Sequence, residues 1–209
     1  MVDQKKLTVV ITGPSGVGKG TIVNHLLSDP LLKALRVPRH TTRNRRPDEA
    51  EGVTHCFVSA EAFLQIISET GFLEWKKAGR HLYGTALDSY KDALGNGQTI
   101  LLDIGISSAL QLQTTAEIQN SNVLLVFLSP VAKEVLSSGE GITQALTILE
   151  KRIKGRFSVE SEELADRLKE GKEDLERSHL FANIVVCKED SVQDAVDEIK
   201  GLILAHKTA

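Results

Sequence analysis

Four apolar segments recur along the chain, and patterns with helical spacing separate them. They lie within LTVVI (residues 7–11), QTILLDIGI (98–106), NVLLVFLSP (122–130) and ANIVVCKED (182–190). A strand with one face in water alternates polar and apolar residues, so these continuous runs predict strands buried on both faces. Such strands alternating with helices predict an α/β fold with a mainly parallel sheet covered by helices on both sides.

The helical segments carry apolar residues at intervals of three and four. In the first, residues 19–29, Ile22, Val23, Leu26 and Leu27 fall on one face. The others are predicted at residues 60–70, closed by Gly71, and at 86–97, 143–156, 161–178 and 191–207.

Two regions interrupt this alternation of strands and helices, and we interpret them as excursions, that is, segments that extend out from the α/β core. Residues 36–53 are polar, arginine-rich and punctuated by proline, so we predict a loop there. A short strand at 55–59 and a hairpin at 72–85, turning at Ala78–Gly79, are expected to follow. The second excursion is the charged helical stretch that starts at Lys151.

Composition narrows the function classes without identifying one. The 209 residues are 41% hydrophobic and 25% charged, which suits one globular α/β core. A net charge of −3 gives no reason to expect nucleic acid or an anionic membrane as a partner. Cys56 and Cys187 form no disulfide framework, and we see no signal peptide or membrane-spanning segment, so a cytoplasmic location is predicted.

The first strand leads into GPSGVGKGT, which nearly spells the phosphate-binding motif G-x-x-x-x-G-K-[ST]. Gly20 follows the lysine, and the hydroxyl comes one residue later at Thr21. Glycines let backbone N–H groups converge on a phosphate, while Lys19 reaches the terminal phosphates. The predicted ATP-binding residues are Gly13, Ser15, Gly16, Val17, Gly18, Lys19, Gly20 and Thr21.

A metal is expected with the nucleotide. Asp103 ends an apolar strand, where P-loop proteins place a carboxylate near the metal. Because Gly20 offers no ligand, we expect Mg²⁺ to be held mainly by ATP oxygens and water, with Thr21 and Asp103 assisting.

Two basic clusters complete the picture. One contains Arg36, Arg39, Arg43, Arg45 and Arg46, and the other contains Lys151, Arg152, Lys154, Arg156 and Arg167. Dense like charge repels itself unless an anion binds, and arginine is suited to phosphate. Two cationic excursions and one triphosphate loop predict a phosphoryl transferase acting on a nucleoside monophosphate.

These motifs, taken in order, resemble the guanylate kinase family over nearly the whole chain. The phosphate loop, TTRNRR with Glu49 and Gly52, FLEW followed by YGT, LLDI, and KRIKGR…RL carry the resemblance. It implies a core of about residues 1–36, 86–150 and 178–209, a small β-rich GMP-binding subdomain of about 37–85, and a helical lid of about 151–177.

The resemblance also implies the reaction and its residues. The γ-phosphoryl group of ATP would pass to GMP, and also to dGMP. Glu74 would accept from guanine N1–H and the 2-amino group, and Thr85 would donate to O6. The implied catalytic residues are Lys19, Arg43, Arg156 and Arg167, and the implied GMP-binding residues are Arg43, Arg46, Glu74, Tyr83, Thr85 and Asp103. We add Arg39 and His55 to the GMP-binding residues, although both depart from the family pattern.

Four positions depart from the family pattern. Arg39 replaces a serine, His55 a tyrosine, Gly105 an aspartate and Cys187 an asparagine, and the segment 131–150 is longer. We expect Arg39 to donate to guanine O6 or N7. We also expect His55 to make GMP binding weaken as pH rises through neutrality.

Two other functions fit parts of the pattern. One is a kinase of another small phosphorylated acceptor, such as a ribosyl bisphosphate, against which Glu74 and Thr85 argue. The other is a non-catalytic guanylate kinase-like protein-binding module, against which the full phosphate loop argues.

Overall fold

A five-stranded parallel sheet forms the centre of the protein. The computed structural model describes residues 6–47, 49–96, 99–115, 118, 122–156 and 161–208. The strands of the sheet are β1 (Leu7–Thr12), β2 (Ala34–Arg36), β7 (Thr99–Asp103), β8 (Asn122–Ser129) and β9 (Asn183–Val186), in the order β2-β7-β1-β8-β9. The predicted parallel sheet is confirmed, since each neighbouring pair is parallel.

The continuous apolar runs occupy the middle of this sheet. Every residue of β1 is buried, and Val9 lies opposite Leu101 of β7 and Leu124 of β8. Strand β2 was not predicted, because its three residues are only partly buried at the edge of the sheet and carry no apolar run.

Seven helices are described: α1 (Lys19–Ser28), α2 (Ala60–Glu69), α3 (Leu87–Asn96), α4 (Ile106–Leu112), α5 (Gly139–Arg156), α6 (Ser161–Glu176) and α7 (Val192–Thr208). Short 3₁₀ turns lie at Val135–Ser137 and Ser178–Leu180. The sequence did not predict α4, and α5 starts four residues before the predicted start at 143. Gly71 ends α2 as predicted, with φ of +81° and its N–H donating to the carbonyl of Ile66.

A second sheet is built from the first excursion. Its strands are β3 (Arg39–Thr41), β4 (His55–Phe57), β5 (Phe72–Ala78) and β6 (His81–Ala86), in the order β4-β3-β6-β5. The prediction of a loop across residues 36–53 is therefore wrong at β3. Pairing with β4 on one side and β6 on the other makes β3 a strand, and no local pattern signals such pairing. The hairpin turns at Gly79 and Arg80, one residue after the predicted turn.

The topology brings two functional segments to one edge of the main sheet. Ile11 of β1 lies opposite Asp103 of β7, so the loop after β1 and the end of β7 are neighbours. Among the described residues, no helix is both long enough and apolar enough to cross a membrane. Cys56 and Cys187 are free thiols.

Candidate active site

The loop between β1 and α1 has the backbone that its glycines predict. Gly13, Gly16 and Gly18 have φ values of +143°, +82° and +111°, a region that favours glycine. The Lys19 ammonium donates to the carbonyls of Gly13 at 2.6 Å and Pro14 at 3.1 Å. The loop thus curls around its own lysine at the start of α1.

Close contacts explain why side chains are missing at two of these positions. A Cβ on Gly13 would lie 2.5 Å from the carbonyl oxygen of Leu128, and a Cβ on Gly18 would lie 2.9 Å from Cys187 Sγ. At Gly20 nothing lies within 4 Å of the Cβ position. A Cβ at position 20 would therefore point into open space, and neither the backbone nor packing requires glycine there.

A cavity of about 290 Å³ opens beside the loop and gathers charged residues from three parts of the chain. Its lining includes Lys19, Arg46, Asp103, Arg152 and Arg167. Burial lowers the pKa of Lys19, and the carboxylate of Asp103 opposes that shift most strongly. The structure thus brings Lys19, Arg46, Asp103 and Arg167 together, as the phosphoryl-transfer prediction requires.

A second cavity of about 500 Å³ lies on the other side of the loop. It is lined by Val17, Thr21, Arg152, Cys187 and Val192, among others. Thr21 lines this cavity, whereas Asp103 lines the first one, so the predicted pair of metal-assisting residues does not share a cavity.

Arg152 spans both cavities and received no role in the sequence analysis. Its guanidinium donates to the carbonyls of Val17 at 3.3 Å and Cys187 at 3.0 Å. Its Nε is buried and has no hydrogen-bond partner in the described part of the chain. The only sequence signal was its membership of the second basic cluster.

In the small sheet, Arg39, Glu74 and Thr85 form one buried polar group. Arg39 donates to both carboxylate oxygens of Glu74, at 3.1 and 3.0 Å, and Thr85 Oγ1 donates to Oε1 at 2.7 Å. Glu74 is 0% exposed. The sequence assigned Arg39 and Thr85 to guanine, and in this structure both donate to Glu74 instead.

A second bidentate pair lies beside it. Arg43 donates to both oxygens of Glu49, at 2.5 and 2.6 Å, and the Arg46 N–H donates to the same carboxylate at 3.0 Å. These bonds lower the pKa of Glu49 to about 2. Glu49 entered the sequence analysis only as part of a motif, because nothing in the pattern reveals which arginine it holds.

His55 lies beside the second pair, with Nδ1 3.7 Å from Glu49 Oε1, and its ring is 6.3 Å from the ring of Tyr83. Burial lowers the pKa of His55 to about 4, and the Arg43 guanidinium adds to this shift. The imidazole is therefore neutral at pH 7 in the unliganded protein, and the expected effect of pH on GMP binding stays a prediction. Arg39 Cζ lies 5.8 Å from the Tyr83 ring, so these side chains form one cluster.

The second excursion approaches the loop through α6. Arg167 donates to Ser15 Oγ at 3.4 Å and pairs with Glu163 at 2.6 Å. The Arg156 side chain lies outside the described residues. Asp174, which the sequence analysis missed, faces Lys19 and Lys76, and burial raises its pKa to about 6.

Comparison with known proteins agrees with this arrangement. A sequence model of the family described as guanylate kinase matches residues 5–206. Guanylate kinase of Oceanobacillus iheyensis is 31% identical over 203 residues, which cover 97% of this chain and 89% of the relative. Guanylate kinase of Caldanaerobacter subterraneus subsp. tengcongensis is 32% identical over 206 residues, or 99% of this chain and 90% of the relative.

A solved structure shares the fold. The crystal structure of guanylate kinase from Anaplasma phagocytophilum aligns with a TM-score of 0.71 and 19% sequence identity, covering 99% of this chain and 89% of that one. Together with the family match across residues 5–206, this places the two sheets and the phosphate loop in one known architecture. The chain belongs to the guanylate kinase family.

Proposed function

We propose that the protein is an ATP:GMP phosphotransferase that moves the γ-phosphoryl group of ATP to GMP or dGMP, giving ADP and GDP or dGDP. Its substrates are small nucleotides, and neither nucleic acid nor a membrane surface enters the proposal. The reaction belongs to cytoplasmic purine nucleotide metabolism. The names of the two bacterial relatives support this assignment.

The observation that carries the proposal is the buried carboxylate of Glu74 beside the Thr85 hydroxyl. Guanine presents two adjacent donors, N1–H and the 2-amino group, which one carboxylate accepts together. Adenine lacks that pair, so it would leave the carboxylate with unmet hydrogen bonds in a buried site. We therefore assign guanine recognition to Glu74, with Thr85 donating to O6.

The two hydrogen bonds from Arg39 to Glu74 have to break before guanine can bind, because they occupy both carboxylate oxygens. Once displaced, its guanidinium remains beside the base and can donate to guanine O6 or N7. The acceptor phosphate is assigned to Arg43, Arg46, Tyr83 and His55. Arg43 forms a bidentate pair with Glu49 in this structure, and it would form a similar pair with the acceptor phosphate when GMP binds.

The donor nucleotide is assigned to the phosphate loop. The amides of residues 13–21 and the Lys19 ammonium would hold the phosphates, at the positive end of α1. The base would enter the cavity of about 500 Å³ beside Arg152. Arg167, and with it Arg156, would neutralise the transferring group from the lid, residues 151–177.

Mg²⁺ fits this site as a companion of the nucleotide. Asp103 supplies one hard oxygen donor in the phosphate cavity, and Mg²⁺ commonly uses one carboxylate plus substrate phosphates. In the described residues, no group of three or more His, Cys, Asp and Glu side chains can hold a metal. The metal would supply charge neutralisation between the phosphates, with Thr21 assisting only through water.

Catalysis in this arrangement rests on positioning and charge. The acceptor phosphate oxygen is already ionised, so no general base is required. Lys19 and the arginines would stabilise the negative charge of an in-line transition state. Closure of the lid over Ser15 would exclude water that competes for the phosphoryl group.

A coupled ATP-consumption assay tests the proposal. GMP, dGMP, AMP, UMP and a ribosyl bisphosphate are offered in turn, with Lys19→Met as the inactive control. Turnover limited to GMP and dGMP is the expected result. Turnover with the ribosyl bisphosphate alone would identify another kinase, and binding without turnover would identify a protein-binding module.

A further inference from the structure

Lys76 is a partly buried charged residue of β5 to which the proposed reaction assigns no role. On β5 it lies two residues from Glu74, so the two side chains share a face of the small sheet. Glu74 lies opposite Thr85, and Lys76 lies opposite Tyr83. The residues assigned to the base and those assigned to the acceptor phosphate thus follow one another along the hairpin, with Lys76 at the phosphate end.

The Lys76 side chain reaches from the small sheet to the turn that follows β7 of the main sheet. A Cβ on Gly105, just after β7, would lie 2.9 Å from Lys76 Nζ and 3.4 Å from its Cε. The backbone of Gly105, with φ of −74° and ψ of 162°, is open to any residue. A side chain at 105 would therefore meet the end of Lys76, while the backbone would accept it.

The ammonium of Lys76 lies within electrostatic range of Lys19 and Asp174, and the carboxylates of Asp103 and Asp174 also act on Lys19. The charges of Lys76 and Arg39 both act on Lys19 and lower its pKa. The carboxylate of Asp174, on α6, interacts electrostatically with Lys19 and Lys76, but it forms an ion pair with neither of them. In the described part of the chain, Lys76 has no hydrogen-bond or ion-pair partner, whereas Arg39 and Arg43 each hold a carboxylate.

Two neighbouring ammonium groups repel each other, and an anion bound between them is stabilised by both. Lys19 is the residue for the terminal phosphates of the donor, and Tyr83 is assigned to the acceptor phosphate. Lys76 lies opposite Tyr83 on the hairpin assigned to the acceptor, and its charge acts on Lys19. The anion that fits is the phosphoryl group at the point of transfer.

We propose that Lys76 is a further phosphate-binding residue of the reaction, whose ammonium enters the space at Gly105 and donates to the phosphoryl group passing from donor to acceptor. This inference rests on the proposed function. It adds a second lysine to the charge that Lys19 and the arginines supply.

The first test compares Lys76→Met, Lys76→Arg and Lys77→Met. Lys77 is the matched control, since it follows on β5 but is exposed. A charge-assisted hydrogen bond to phosphate corresponds to about a tenfold to hundredfold loss of kcat/KM for GMP in Lys76→Met. Lys76→Arg should recover part of this loss, and Lys77→Met should match the wild type. Thermal melting checks that each variant folds.

A binding measurement separates this inference from the proposed function. The probe is adenosine and guanosine joined 5′ to 5′ by five phosphates, measured by calorimetry against ATP alone. Lys76→Met should weaken the probe by about tenfold or more while ATP binding changes by less than about threefold. Equal affinities in wild type and Lys76→Met would overturn the role of Lys76, whether or not GMP is turned over.

Gly105→Ala supplies a second, independent variant. Its methyl group would displace the flexible end of Lys76, so it should weaken the same probe in the wild-type background. In the Lys76→Met background it should have no further effect, because the lysine is already gone. Additive losses would show that Gly105 and Lys76 act separately and would contradict the proposal.

Discussion

Arg39 and Glu74 form a bidentate ion pair inside the small sheet, with Nε to Oε1 at 3.1 Å and Nη2 to Oε2 at 3.0 Å. The Arg39 side chain is 12% exposed and Glu74 is fully buried. The carboxylate assigned to guanine is therefore already satisfied before any ligand arrives. Guanine and Arg39 compete for the same two oxygens.

Arg39→Ser should destabilise the unliganded protein and increase its response to GMP. Breaking one partner from a buried ion pair costs about 3 kcal/mol, because the remaining charge stays buried. GMP would restore partners to Glu74 in the variant, whereas in the wild type it must first displace Arg39. Thermal melting with and without GMP measures both effects.

The exposed Arg45 in the same loop is the matched control, and Arg45→Ser should melt like the wild type. If Arg39→Ser melts at the wild-type temperature and GMP shifts both proteins equally, the competition between Arg39 and guanine is excluded.

Glu74→Gln should reduce discrimination between purines. The amide cannot accept from both guanine donors without turning its own donor toward one of them, so kcat/KM for GMP should fall by about a hundredfold. Activity with AMP, which we expect to be low, should change much less. Glu134→Gln, an exposed carboxylate outside the cleft, is the control. An unchanged ratio of GMP to AMP activity would remove Glu74 from base recognition.

The free energy of unfolding should decrease as the pH is lowered, because His55 becomes protonated more readily in the unfolded chain than in the folded one. Its pKa is lowered to about 4, chiefly by burial and by the charge of Arg43, with Glu49 opposing. The unfolded chain, with an ordinary pKa near 6.5 for histidine, binds more protons between these values. The contribution of His55 is therefore favourable above about pH 6.5 and is lost as pH falls toward 4.

Denaturant titrations of wild type and His55→Gln from pH 7.5 to 4 measure this contribution as a difference. The comparison is needed because Asp174, with its pKa raised to about 6, acts in the opposite direction in the same range. His25→Gln on the exposed face of α1 is the control. Parallel curves for wild type and His55→Gln would contradict the prediction.

The sequence predicted the core strands and the phosphate loop because their signals are local. The apolar run of β1 and the glycines around Lys19 depend on neighbours in the chain. Strand β3 could not be predicted in this way, since its hydrogen bonds come from β4 and β6.

The same limit applies to the candidate site. Glu74 and Thr85 were identified from a motif, and they face each other across one hairpin. The partnership of Arg39 with Glu74 joins residues 35 apart, and the approach of Lys76 to Gly105 joins the small sheet to the start of α4. No spacing rule connects such residues, so the charge balance of the cleft depends on the tertiary structure.

The phosphate-loop glycines should differ sharply in their tolerance of alanine. At Gly13, alanine would have to adopt a φ of +143° with its Cβ 2.5 Å from the Leu128 carbonyl oxygen. Strain and overlap together should lower the free energy of unfolding by about 3 kcal/mol. At Gly20, inside α1 with nothing within 4 Å, alanine should raise it by about 0.5 kcal/mol, because alanine favours the helix. Urea unfolding of Gly13→Ala and Gly20→Ala measures both changes, and equal losses at the two positions would mean that glycine at 20 is also a structural requirement.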